Sequence, residues 1–166
     1  HDFLILVGAI SHHYFAGFGG NRKLIFPGLG EKKAIYKNHS LFIDFRKKML
    51  DPGCDSGNLE TNPIALDIEE IDTYFPDKLS INGILNSNGE LCRMNFSRTY
   101  EEFKNICGLY DEHFRIDIPE KFDMVVASAG GYPKDINYIQ SHKSIHNAAS
   151  FVKDGGKLIL LAECSD

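Results

Sequence analysis

The sequence predicts a mixed α/β fold in which largely parallel sheet units carry helices on their faces. Three observations predict it. The short apolar run Phe3 to Val7 reads as a buried strand of parallel type and opens directly into glycine-rich backbone. A second run, Asp123 to Ala129, ends in Gly130-Gly131 and is followed by a helical stretch. A third, Lys157 to Ala162, follows that stretch after Gly155-Gly156. Strand, glycine turn and helix form the edge at which open α/β sheets bind ligands, outside the carboxyl ends of their strands.

The first strand is followed by His12, His13, glycines at 17, 19 and 20, Arg22-Lys23, the break Pro27-Gly28, and His39. Glycine permits positive φ and close approach of backbone to a ligand. Successive amides in such a loop can form an anion-binding nest, with Arg22 and Lys23 supplying charge. The same residues also suit a tight turn carrying two solvated cations. The loop is not a P-loop, because Lys23 is followed by Leu24 rather than Ser or Thr, and GFGGNR does not satisfy GxGxxG. Lys23 lies between polar loop and apolar Leu24-Ile25-Phe26, where partial desolvation favours a nucleophile or a point of covalent attachment. His13 and His39 are each suited to proton transfer near neutral pH or to binding nickel, zinc or copper. Taken singly, each also fits an ordinary hydrogen-bonded histidine.

The remaining elements follow in order. Glu31 to about Leu50, with Ala34, Ile35, Leu41, Phe42 and Phe45, predicts one or two helices and places His39 on a helix or its boundary. Asp51 to Gly57 is a loop. Asn62 as N-cap and Pro63 at the first position begin another helix. Lys78 to Ser97 reads as two strands around an Asn88-Gly89 turn. Tyr100 to about Tyr110 is an amphipathic helix with Phe103, Ile106 and Cys107 inward, and Arg115 to Ile118 a short strand. The last helix is expected from about Asp135 or Ile136 to Val152, carrying Gln140, His142, Lys143 and His146. His142 and His146 share a helix face, but no third ligand accompanies them, and a solvated face is the expectation.

With 166 residues the chain can bury a sizeable core. A net charge of −5 without a basic face argues against a nucleic-acid partner. No apolar run approaches the roughly 18 residues of a membrane span, and no signal peptide is visible. The four cysteines have no CxxC spacing, which fits reduced thiols and a cytoplasmic setting.

Two blocks of residues carry a resemblance. His13 to Lys23, then Pro27-Gly28 and Asn38-His39, is similar to the signature of the nickel-dependent lactate racemase family. In that family a histidine precedes the lysine of a GGRK-like loop by ten residues and a second histidine follows it by sixteen. His13, Lys23 and His39 keep both spacings. The second block runs from Ser128-Ala-Gly-Gly-Tyr-Pro133 through Gln140 and Lys143 to Leu158-Ile-Leu-Leu-Ala-Glu-Cys164.

The resemblance implies a 2-hydroxy acid racemase or epimerase working by reversible hydride transfer. Its cofactors would be nickel and pyridinium-3-thioamide-5-thiocarboxylic acid mononucleotide, a pincer nucleotide joined covalently to Lys23. His13 would be one of two acid/base histidines and His39 the protein ligand of nickel. Gly20 and Arg22 would serve the cofactor, Gln140 the substrate, and Lys143 the reacting charge. Residues 1–50 would end the cofactor-binding half and 51–166 would form a second α/β domain, together an interior piece of a larger two-domain protein that is inactive by itself. Proteins that synthesise the cofactor would be its partners. Two departures stand out: Asn21 occupies a position where the family commonly has glycine, and Ile139 replaces the tyrosine of a tyrosine–glutamine pair. Two other readings compete, a phosphate- or nucleotide-handling α/β protein and a cofactor carrier without substrate chemistry.

Overall fold

The apolar run at the start forms β1 (Leu4–Ala9), the first strand of a computed structural model that describes residues 3–166. β1 pairs in parallel with β6 (Lys78–Leu85), and β6 pairs antiparallel with β7 (Leu91–Ser97), giving the order β1-β6-β7. The β6–β7 turn follows from its residues: the Asn86 side-chain oxygen accepts the amides of Asn88 and Glu90, and Gly89 takes φ +80°.

Between β1 and β6 the chain makes two small hairpins and two helices. The first hairpin pairs β2 (His12–His13) with β3 (Gly17–Phe18). Helix α1 (Lys32–Ser40) follows, then the second hairpin, β4 (Ile43–Asp44) with β5 (Met49–Leu50). The expectation of helix through to Leu50 is therefore corrected. The Asp44 carboxylate accepts the amides of Arg46 and Lys47, and Lys48 takes φ +52°, so a local turn outcompetes the second helix.

Helix α2 (Pro63–Asp72) starts as its sequence dictates, with the Asn62 side chain accepting the amides of Ile64 and Ala65 and Pro63 in the first turn. Lys78 closes its other end. The ammonium pairs with the Asp72 carboxylate at 2.9 Å and donates to the carbonyls of Asp72 and Phe75, which satisfies a charge that is 7% exposed. Helix α3 (Tyr100–Phe114) opens with a complete capping box between Thr99 and Glu102. It buries Phe103, Ile106 and Cys107 as expected, in one cluster with Ile10, Phe18 and Ile84. A second cluster joins Phe15, Phe26, Ile64 and Ile68, and thereby the glycine-loop region to α2.

The compact units divide between Arg115 and Ile116. Residues 51–115 pack with the first segment, because β6 pairs with β1, the Asn62 amide donates to Phe15 O, and Arg22 donates to Ala65 O. The strand expected at Arg115 to Ile118 does not form, and Pro119 beside it cannot donate to a ladder.

The second unit is a βαβ crossover: β8 (Phe122–Ser128), α4 (Tyr138–Ala149) and β9 (Val152–Leu161), with the two strands parallel. α4 begins later than expected because Asn137 caps it through the Gln140 amide. It also ends sooner, since Val152 already pairs with Phe122 and Gly155-Gly156 lie within β9. Among the described residues no helix is long and apolar enough to cross a membrane.

Candidate functional site: the glycine loop and its histidines

The loop after β1 is shaped by glycine at two positions. Gly17 takes φ +75°, and a Cβ there would lie 2.2 Å from Asn58 O. Gly20 takes φ +80°, with a Cβ position 2.5 Å from Ala9 O. Both positions are closed to any side chain. The close approach at Gly20 is to the end of β1, so its requirement for glycine is met by the protein's own backbone.

Asn21 follows in the left-handed region, with φ 44°, and opens a 3-10 turn over Asn21–Leu24. Its amide donates to Ser97 Oγ at 2.9 Å while Ser80 Oγ donates to its oxygen at 2.7 Å. Asn82 donates to the same Ser97 hydroxyl at 3.0 Å. All four side chains are buried, so this network ties the loop to β6 and β7 beneath it.

Arg22 departs from its expected role. The guanidinium is 1% exposed, donates from Nη1 to Ala65 O at 2.8 Å, and lies over the rings of Tyr100 and Phe103 at 4.8 and 5.3 Å. Burial pushes its pKa down, opposed by Tyr100 and then by Glu69. The side chain turns into the core and helps hold the loop onto α2 and α3; it does not present charge to a ligand at the loop.

His13, Lys23 and His39 come together around one ring that the motif analysis did not single out, Phe15. The His13 ring meets it edge-on at 4.6 Å between centroids, the His39 ring at 5.2 Å, and the Lys23 ammonium lies 5.9 Å from its centroid. Each of the three is half-buried. Phe15 itself is 7% exposed, packed on Tyr14 and Phe42. An aromatic between two histidines is a weak signal in a sequence, which is why the hub was missed.

The two imidazoles are held in opposite tautomers. His39 Nδ1 donates to Ile35 O, one turn earlier in α1, at 2.9 Å, which leaves the lone pair on Nε2. This is the arrangement a metal-ligating histidine needs, with the other ring nitrogen fixed by a carbonyl. His13 Nδ1 instead accepts the Ala16 amide at 3.2 Å, so the neutral ring carries its proton on Nε2.

In the second unit, Lys143 Nζ donates to Gln140 Oε1 at 2.6 Å, as their i, i+3 spacing on α4 allows. Tyr138 and Ile139 are both exposed beside them. Among the described residues no three of His, Cys, Asp or Glu gather into a metal-holding group, so His142 and His146 acquire no third ligand. The buried thiols are not alternatives: desolvation raises Cys54 to about 11 and Cys107 to about 12, which keeps both protonated at neutral pH.

Comparison with known proteins places the chain among lactate racemases. Residues 1–50 match the family description "Lactate racemase N-terminal domain", and residues 118–166 match "Lactate racemase C-terminal domain". The chain is 34% identical over 170 residues to a lactate racemase of Thermoanaerobacterium thermosaccharolyticum, covering 99% of this chain and 37% of that protein. The chain belongs to the lactate racemase family. A lactate racemase of Lactiplantibacillus plantarum is 31% identical over 167 residues, with 99% of this chain and 38% of that protein covered. The solved structure of the lactate racemase apoprotein from T. thermosaccharolyticum superposes with a TM-score of 0.88 at 32% identity, over 99% of this chain and 38% of that one. The chain thus spans a little over a third of the length of its lactate racemase relatives. The junction between the two compact units, after Arg115, falls just before the segment matched by the C-terminal description.

Proposed function

We propose that this chain is part of a 2-hydroxy acid racemase or epimerase, lactate-like in substrate, and that His13, Lys23 and His39 form its cofactor-facing site. The observation that carries the reading is the convergence of those three side chains on Phe15, with His39 in the tautomer of a metal ligand. A nickel pincer nucleotide fits the donor set. Such a group brings donors of its own, and the imidazole lone pair that His39 offers at Nε2 is what this chain would add. Lys23 would hold that group covalently and His39 Nε2 would ligate nickel. When bound, the group supplies reversible hydride acceptance, which the side chains themselves cannot.

What the chain contributes is positioning and proton handling. In the neutral tautomer that the Ala16 amide sets, His13 can give a proton from Nε2; to take a substrate hydroxyl proton at Nε2 it must first carry its own proton on Nδ1, which means giving up the Ala16 amide. Such a bond is worth about 0.5–1.5 kcal/mol, a modest cost that keeps the ring able to work in both directions. Lys143, held by Gln140, is proposed as the cation that stabilises charge developing on the substrate, with Gln140 also binding it. Ile139 in place of the family's tyrosine points to a substrate preference other than lactate itself. Proteins that synthesise the cofactor are proposed partners, and the cytoplasm the proposed compartment, which the four free cysteines suit.

The test is racemisation by the full-length protein of a single enantiomer of lactate, and then of other 2-hydroxy acids, deuterated at Cα. The account predicts inversion with the deuterium kept at Cα. Wash-out of deuterium into solvent would indicate proton abstraction and overturn the hydride reading. Absence of any inversion across the series would favour a carrier without substrate chemistry.

A further inference from the structure

The histidine next to the proposed acid/base residue has a partner of its own. His12 Nε2 lies 2.9 Å from Asp111 Oδ1, and its ring packs edge-on against Tyr110 at 5.0 Å and tilted against Phe18 at 5.1 Å. Tyr110 and Asp111 both belong to α3, a fifteen-residue helix held at its start by a capping box. His12 and His13 are the whole of β2, and among the described residues their strand partners are Phe18 and Gly17. Two residue pairs are too little ladder to fix a strand's twist.

Successive side chains of a strand point to opposite faces. His12 faces α3, and His13 faces Tyr14, Phe15 and the His39 side. Rotation of the β2 backbone moves both rings together, so fixing His12 fixes His13. The bond spans 99 residues of sequence, and so ties β2 to an element remote in the chain.

We propose that the His12–Asp111 pair is a positioning pair for His13, holding β2 so that the His13 ring keeps the orientation and tautomer set by the Ala16 amide. This rests on the reading of His13 as the acid/base group. His12 and Asp111 touch no reacting atom in it; their effect passes through the two-residue strand.

The test uses the full-length protein labelled with ¹⁵N-histidine, His13 being assigned by the signals lost in His13→Gln. In the native protein His13 should show an unprotonated Nδ1 and a protonated Nε2. Asp111→Ala should draw the two ¹⁵N shifts together toward a tautomer average and lower kcat about ten- to hundredfold with KM little changed, the range typical for loss of an outer-shell orienting partner. Asp111→Asn, which retains the accepting oxygen, should restore both readouts. His12→Phe keeps the packing against Tyr110 and Phe18 and deletes only the bond; it should behave as Asp111→Ala and serves if that variant does not fold. His13 shifts in these variants identical to the native ones would overturn the proposal. A native protein that shows the expected shifts and no racemisation would leave the pair standing and remove the catalytic reading of His13.

Discussion

Replacing His13 by Asn in the full-length protein lowers kcat for 2-hydroxy acid inversion by about 10²- to 10⁴-fold, the usual worth of a positioned acid/base group. KM changes little, because the ring acts on a proton in the transition state rather than on the ground-state substrate. The fold survives, since His13 is half-buried and the Asn oxygen can still approach the Ala16 amide. Cofactor loading, read as the mass of the protein and its nickel content, stays at the native level. A variant that keeps native kcat removes His13 from the mechanism. One that loses loading instead makes it part of the cofactor's hold.

His39→Ala has the opposite signature. Its Nε2 is the donor offered by the Ile35-anchored tautomer, and with it goes the metal. Loss of an outer-shell partner alone costs about 10- to 100-fold in metal affinity or activity, so loss of the ligand itself costs more than about 100-fold in both. Helix α1 tolerates the change, because position 39 lies in its last turn and alanine is the better helix former by a few tenths of a kcal/mol. The expected protein is folded, nickel-free and inactive. Full nickel content in His39→Ala would reassign the ligand.

The elements most legible in the sequence were those with local chemistry behind them. Asn62-Pro63 opened a helix, Asn88-Gly89 closed a hairpin, and two apolar runs that end in glycine became parallel strands, though Ile5, Val7, Met124 and Val126 are exposed where burial was expected. The misjudged stretches were decided by competition between local and distant partners. Asp44 capturing the Arg46 and Lys47 amides turned an expected helix into a hairpin. Pairing of Val152 with Phe122 cut the last helix short.

At the site, the spacing of His13, Lys23 and His39 picked out side chains that the fold does gather. Arg22 shows the limit of that reasoning. Beside a glycine loop an arginine reads as ligand-facing, and only the positions of Ala65, Tyr100 and Phe103, 43 or more residues away, reveal that it serves the core. The Phe15 hub and the His12–Asp111 pair escaped notice for the same reason, since each exists only once distant segments meet. The left-handed tolerance of Asn21 was readable, but its bonds to Ser80 and Ser97 were not.

The central claim is that Lys23 and His39 hold a nickel-bearing nucleotide. Intact mass and nickel analysis of the full-length protein, co-produced with the cofactor's biosynthetic proteins, tests it most directly. The account predicts a mass increase that maps to Lys23, lost in Lys23→Ala, and bound nickel that His39→Ala releases. An unmodified Lys23 and a nickel-free protein under those conditions would contradict it.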